Sequence, residues 1–310
     1  MTEMILWEGT PSAVPAFRIL AIIDGDIHAA PARDILGRIY QKFEELHGKG
    51  AGDVSYNFPG HRGKIRKANA KLLEEGREFF LREATEYSEG IRRYGYALEE
   101  FGHPGIPFFG VEQRSYFHFL DIALPEDASS IVEFADFVTA ELLNAPVITG
   151  VMGMGFFLPH HNSSLNFLLG GKVERYRAAI EISPDMIYDG IRTEGSAYRW
   201  KAGELPGVAD IGWRTLVGAE FWARLPAPKQ LPSGSGVTME KSERVLSVTA
   251  GEVPIWGDVE ADEDISAYRA VASYLAPVRL PEGCLQAFGF GGGMTSGHEA
   301  KVHAYFHRFD

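Results

Sequence analysis

The sequence predicts an α+β fold, a mixed or antiparallel sheet flanked by helices, built as one unit over residues 1–310. Three observations predict it. Short branched apolar runs alternate with stretches of helical periodicity, a strand–helix–strand rhythm occurs twice, and no low-complexity linker interrupts the chain. The two occurrences of that rhythm suggest pseudo-repeated halves, about 1–110 and 111–310.

Phe17-Arg18-Ile19-Leu20-Ala21-Ile22-Ile23 is a branched apolar run closed by Asp24-Gly25-Asp26, the pattern of a buried strand. From Pro31 to Leu46, Ile35, Leu36, Ile39, Tyr40, Phe43 and Leu46 fall on one helical stripe. A Gly- and His-rich loop is expected from Gly48 to Lys64, and a polar helix from Lys64 to Glu89. Phe101–Gly110, with Pro104 and Pro107, reads as a connector. Tyr116–Leu124 alternates as a strand. Pro125–Leu143 carries Ile131, Phe134, Ala135, Val138 and Leu142 on one helix face with Ser129 or Ser130 near its cap, and Val147–Leu158 is a third strand.

The second half is less regular. Leu165–Ile182 and Met186–Ile191 suggest short helices, and Ile211–Leu225 reads as an aromatic-bearing helix stopped by Pro226. Ser233–Gly236 reads as a hairpin-like loop before strands at Val237–Met239 and Arg244–Ala250. Ile265–Leu275 is amphipathic, and Gln286–Phe290 with Ala300–Phe309 reads as a terminal hairpin around Gly291–Gly297.

Composition excludes several functions. Hydrophobic residues are 45% and charged residues 23%, ordinary for a globular protein. Thirty basic against 42 acidic residues give a formal charge of −12, which a phosphate backbone repels, so nucleic-acid binding is not expected. Cys284 is the single cysteine, so no internal disulfide or four-cysteine zinc site can form. No basic-then-apolar leader opens the sequence, and no run approaches the ~20 apolar residues a bilayer requires. A cytoplasmic protein without membrane contact is the expectation.

Catalytic motifs are weak. Gly289–Gly297 lacks the lysine and following helix of a phosphate loop, and Gly150, Gly153 and Gly155 lie within a strand pattern, where glycine permits close packing. His160 and His161 are adjacent and point to opposite sides of an extended chain. On the expected terminal strand, His303 and His307 lie about 13 Å apart, too far to share an ion. No G-x-S-x-G or H-E-x-x-H sequence occurs. No cofactor, metal site or catalytic residue is expected.

One stretch is unusual in charge. Gly257–Asp264 holds five carboxylates in eight residues, Asp258, Glu260, Asp262, Glu263 and Asp264. From residue 251 onward acids outnumber bases nine to four. Such a loop either solvates itself and complements the dipole of the next helix, or offers an electronegative face to a basic partner. Trp256, Phe108, Phe109 and Trp222 are the candidate aromatic anchors for such a partner, with core packing as the alternative.

Ala250-Gly251-Glu252-Val253-Pro254-Ile255-Trp256-Gly257-Asp258 resembles the A-G-x-x-P-x-x-G-D run of a family of bacterial type VI secretion immunity proteins, TsiV, directed against VRR-type nuclease toxins. Tyr268–Ala272 and Leu275-Ala276-Pro277-Val278-Arg279 are similar to its following helix and L-x-P-x-R, and Gly212–Gly218 to a degenerate form of its G-x-x-W-L-T-x-L-G. The resemblance implies a non-enzymatic inhibitor, monomer or small oligomer, that occludes the cationic site of a cognate effector, a DNA-cleaving nuclease. Two alternatives stay open on the residues themselves: a metal-dependent hydrolase using His160 and His161, and a structural or adaptor component of a secretion assembly.

Overall fold

The computed structural model describes residues 2–47, 55–57, 66–67, 70–81, 90–94, 105–114, 117–159, 165, 167–183, 186–187, 207–227, 234–285 and 297–310. Its strands are β1 (Ile5–Trp7), β2 (Thr10–Asp24), β3 (Ser55–Asn57), β4 (Arg66–Lys67), β5 (Gly90–Tyr94), β6 (Phe108–Arg114), β7 (Phe117–Pro125), β8 (Val147–Phe157), β9 (Arg214–Gly218), β10 (Val237–Lys241) and β11 (Val245–Ala250). The helices are α1 (Ala32–His47), α2 (Ala70–Phe79), α3 (Ile131–Leu142), α4 (Ser266–Leu275), α5 (Glu282–Leu285) and α6 (His298–Phe306). This is the α+β architecture expected from the sequence.

All the strands join one antiparallel sheet in the order β10-β11-β9-β8-β2-β7-β6-β5-β3-β4, with β1 folded back on the start of β2. β2 lies between β7 and β8, so the two expected halves share a single sheet. Ser12–Ile23 is buried without a break, as a strand covered on both faces must be. Glu8 and Gly9, with φ of 51° and 81°, make the two-residue turn that returns β1 onto β2.

Register assigns the sheet's faces. Phe109, Ile122, Ile19, Met152, Arg214 and Thr249 are successive partners across β6, β7, β2, β8, β9 and β11, so they share one side. Phe109 packs on Tyr40 and Phe43 of α1, with ring centroids at 5.0 and 5.5 Å. Arg214 reaches α3, donating to the Ala135 carbonyl, Thr139 Oγ1 and Asp136. Helices α1 and α3 therefore cover that face side by side. On the neighbouring row, Leu20 and Val151 close against Ile187 and Ala209 from the second half. Gly155 is required there: a Cβ would lie 2.4 Å from the Ile180 carbonyl oxygen.

Several expectations are corrected. Ile211–Leu225 is not a helix: Arg214–Gly218 is a strand, where Thr215 and Val217 favour the extended state, and only Ala219–Arg224 turns, as a 3₁₀ helix. The connector ends earlier than expected, because β6 begins at Phe108. The Gly48–Lys64 loop contains β3, and among the described residues of the expected Lys64–Glu89 helix, Ala70–Phe79 form α2 while Arg66–Lys67 are in β4. Ser130 occupies the N-cap of α3 without a side-chain cap bond. The turn joining β10 to β11 is at residues 242–244, so the Gly-Ser loop leads into β10 rather than forming the hairpin.

The terminal strand is a helix. Val302, Ala304 and Phe306 alternate, but Val302, Tyr305 and Phe309 also fall at i, i+3 and i+7, and those are the buried apolar positions. Gly297, at φ 102°, precedes the first turn of α6.

Candidate partner-binding face

The acidic stretch joins β11 to α4 and is fastened to the segment at residues 175–178. The Ala178 amide donates to the Trp256 carbonyl (2.9 Å), the Arg177 amide to that of Gly257 (3.1 Å), and the Val259 amide to that of Arg175 (2.9 Å). Gly257 has φ 64°, and a Cβ there would lie 2.8 Å from the Ala178 nitrogen, so a larger residue would push the two segments apart. The A-G-x-x-P-x-x-G-D run thus builds the loop's footing.

Asp258, Glu263 and Asp264 spend their oxygens on this scaffold. Asp258 accepts from the Glu260 amide (2.9 Å) and takes a forked contact from Arg175 at 3.2 and 3.1 Å. Glu263 accepts from the Asp258 amide at 2.9 Å. Asp264 accepts from both the amide and the hydroxyl of Ser266, the first residue of α4. The Arg175 hydrogen bond holds Asp258 below the ordinary carboxylate range, and the Ser266 amide does the same for Asp264. Both therefore stay charged well into mild acid.

Glu260 and Asp262 point outward. Glu260 pairs with Arg175 at 2.9 Å yet remains 68% exposed, and Asp262 sits exposed at φ 52°, a conformation Asp and Asn tolerate. Val253 and Val259, 55% and 48% exposed, occur in the same stretch of chain, as does exposed Glu252. The stretch thus exposes both carboxylates and apolar side chains.

Trp256, Phe108 and Phe109 lie inside, which is the core-packing alternative and not the accessible-anchor one. Trp256 packs on Phe156 and Tyr176, and its Nε1 donates to Glu126 at 3.0 Å. Phe109 is under α1, and Phe108 stacks on Phe157 at 4.8 Å on the opposite side of the sheet. Trp222 is half-buried, donating to the Val217 carbonyl beneath the Lys241 ammonium. Glu126 also accepts from the Thr2 amide at 3.1 Å, which links the face to the start of the chain. There Met4, Leu6 and Trp7 are exposed large side chains.

Sequence reading located the carboxylates but missed Arg175, 83 positions before Asp258, together with Glu126 and the two valines. Exposure of Val253 and Val259 has no local signal. Cys284 is buried, as expected of an inert thiol. His160, His161 and Gly289–Ser296 lie outside the described residues. Among the described residues no helix is long and apolar enough to cross a membrane.

No family model and no curated protein matches this sequence. A solved structure does share its fold. The T6SS (type VI secretion system) protein PA0821 of Pseudomonas aeruginosa superimposes with a TM-score of 0.65 at 14% identity, covering 91% of this chain and 83% of that one. At that identity the likeness is one of fold.

Proposed function

We propose that this chain is a type VI secretion immunity protein, which binds a cognate effector and blocks it without performing a reaction itself. The effector class that fits is a DNA-cleaving nuclease, whose cleft must be cationic to hold its substrate. One observation carries the reading: Glu252, Glu260 and Asp262 are exposed along the same stretch as exposed Val253 and Val259, in a segment hydrogen-bonded to residues 175–178. Carboxylates at such a face compete with phosphates and speed encounter with a basic partner, while the desolvated apolar contacts slow escape. The shared fold with a T6SS protein, and the resemblance of residues 250–258 to the immunity family, support the same conclusion.

The test is association with the effector encoded beside this gene, measured at two salt concentrations. Tight binding that slows as salt rises is the expected result. A combined Glu252→Lys, Glu260→Lys, Asp262→Asn variant leaves the scaffold carboxylates intact and should slow association about tenfold at low salt. Val259→Asp should instead hasten dissociation. Unchanged rates and unchanged protection would remove this face as the contact surface. Substrate turnover by the isolated chain, or assembly into rings or fibres, would overturn the inhibitor reading itself.

A further inference from the structure

Helices α5 and α6 pack against one another and bring three side chains together that the sequence had kept apart. Glu282 opens α5, while His303 on α6 and His307 at its C-cap stand one turn apart, their rings 4.2 Å apart. Glu282 Oε1 lies 3.0 Å from His303 Nδ1, and Oε2 lies 3.4 Å from His307 Nε2. One ligand atom from each residue falls within 4.8 Å of the others. An ion bound tetrahedrally at 2.0–2.1 Å separates its ligands by about 3.3 Å, so small side-chain rotations close the set.

We propose that Glu282, His303 and His307 form a binding site for one divalent transition-metal ion, with zinc as the natural occupant. Two imidazole nitrogens and a carboxylate oxygen are a borderline donor set, suited to zinc and its neighbours and poorly suited to magnesium or calcium. Three protein ligands leave a fourth position for water. His307 carries a second feature of such sites: its Nδ1 hydrogen-bonds Asp310. Donation of the Nδ1 proton to that carboxylate turns the Nε2 lone pair toward Glu282, the arrangement that orients metal-bound histidines. Asp310 is thus a positioning residue.

The platform is firm although the ligands are reachable. The cluster's side chains are 65%, 36% and 35% exposed for His303, His307 and Glu282. Beneath them Cys284, Val302, Tyr305 and Arg308 are buried. The neighbouring cation, Arg279, is held by the Phe306 carbonyl at 2.7 Å and lies over the Phe306 ring. This inference is independent of the acidic face and of the inhibitor reading.

The test uses the full, tag-free chain, stripped with chelator and dialysed against zinc, cobalt, magnesium or calcium. Zinc should bind at one equivalent per chain, cobalt should give visible ligand-field bands, and magnesium and calcium should not bind. The combined His303→Ala, His307→Ala variant should lose the binding, and Glu282→Gln should weaken it. Asp310→Asn should weaken zinc affinity about tenfold or more. Zinc at 100 times its dissociation constant should raise the melting temperature by about 4 °C, and the double variant should lose that rise while its metal-free melt stays near wild type. Absence of zinc binding, or binding that survives the double variant, overturns the site. Should the double variant fail to fold, zinc affinity unchanged in Glu282→Gln and Asp310→Asn would overturn it as well.

Discussion

Two arginines in this molecule each grip an aspartate, at opposite depths. Arg308 and Asp210, with side chains 1% and 2% exposed, meet at 2.7 Å; Arg175 and Asp258, 46% and 18% exposed, meet at 3.1 Å. The distances are similar and the consequences are not. Arg308 also donates to the carbonyls of Ile211 and Tyr305, and Asp210 accepts the Tyr305 hydroxyl, so the inner pair ties α6 to the segment entering β9. Burial works against the charge on Arg308, and the negative charge of Asp210 overcomes it. The outer pair is screened by water and shapes a surface. One pair lies within the core; the other lies at the surface.

The largest effect should follow from breaking the inner pair. Asp210→Ala leaves a guanidinium buried without its counter-ion and removes the acceptor of the Tyr305 hydroxyl. The expected loss is about 3–5 kcal/mol in a denaturant melt. A loss below about 1 kcal/mol would mean that Arg308 finds other partners, and the contrast between the two depths would collapse.

Glu181 sharpens the same contrast through pH. It is fully buried, and the Val173 backbone amide offers its carboxyl only weak compensation for that burial. Burial raises its pKa well above the ordinary 4.5, against the opposing pull of Arg308. The native state therefore holds this proton more tightly than the unfolded chain. Stability from this group is complete below pH 4.5 and declines as pH rises toward the native value, because only the unfolded chain gains by ionising. In Glu181→Gln that decline should vanish. Parallel melting-temperature profiles for the two proteins would show instead that the carboxyl is ionised in the fold.

How far the fold was legible follows the same division. β2, α1, β7, α3, β8 and α4 have long apolar runs or stripes with one consistent period, and the sequence names each, although β2 begins seven residues before Phe17 and α3 six residues after Pro125. The segments at 211–225 and 300–309 are misread because both periods fit them. Val302-His303-Ala304-Tyr305-Phe306 alternates as a strand does, and what selects the helix is Tyr305 and Arg308 meeting Asp210, about a hundred positions away. That misreading hid the closeness of His303 and His307. At the acidic loop, charge was legible because it is compositional. The division of labour among its carboxylates was not, since it depends on Arg175 and on which amides face inward.

The smallest effect, and the finest test of the outer pair, is Arg175→Ala. Arg175 is a solvated cation whose side chain touches Asp258 and Glu260, while its backbone carbonyl, unaffected by the change, holds the Val259 amide. The loop should keep its course, with a melting-temperature change of at most about 2 °C. Removing that cation leaves the face more negative. If the face meets a basic partner, association at low salt should quicken, by about two- to threefold, and the gain should disappear at high salt. The direction is informative because deleting a contact residue ordinarily slows binding. Slower association in Arg175→Ala, with the melt unchanged, would mean that the guanidinium itself touches the partner and that charge at this face is read residue by residue rather than as a field.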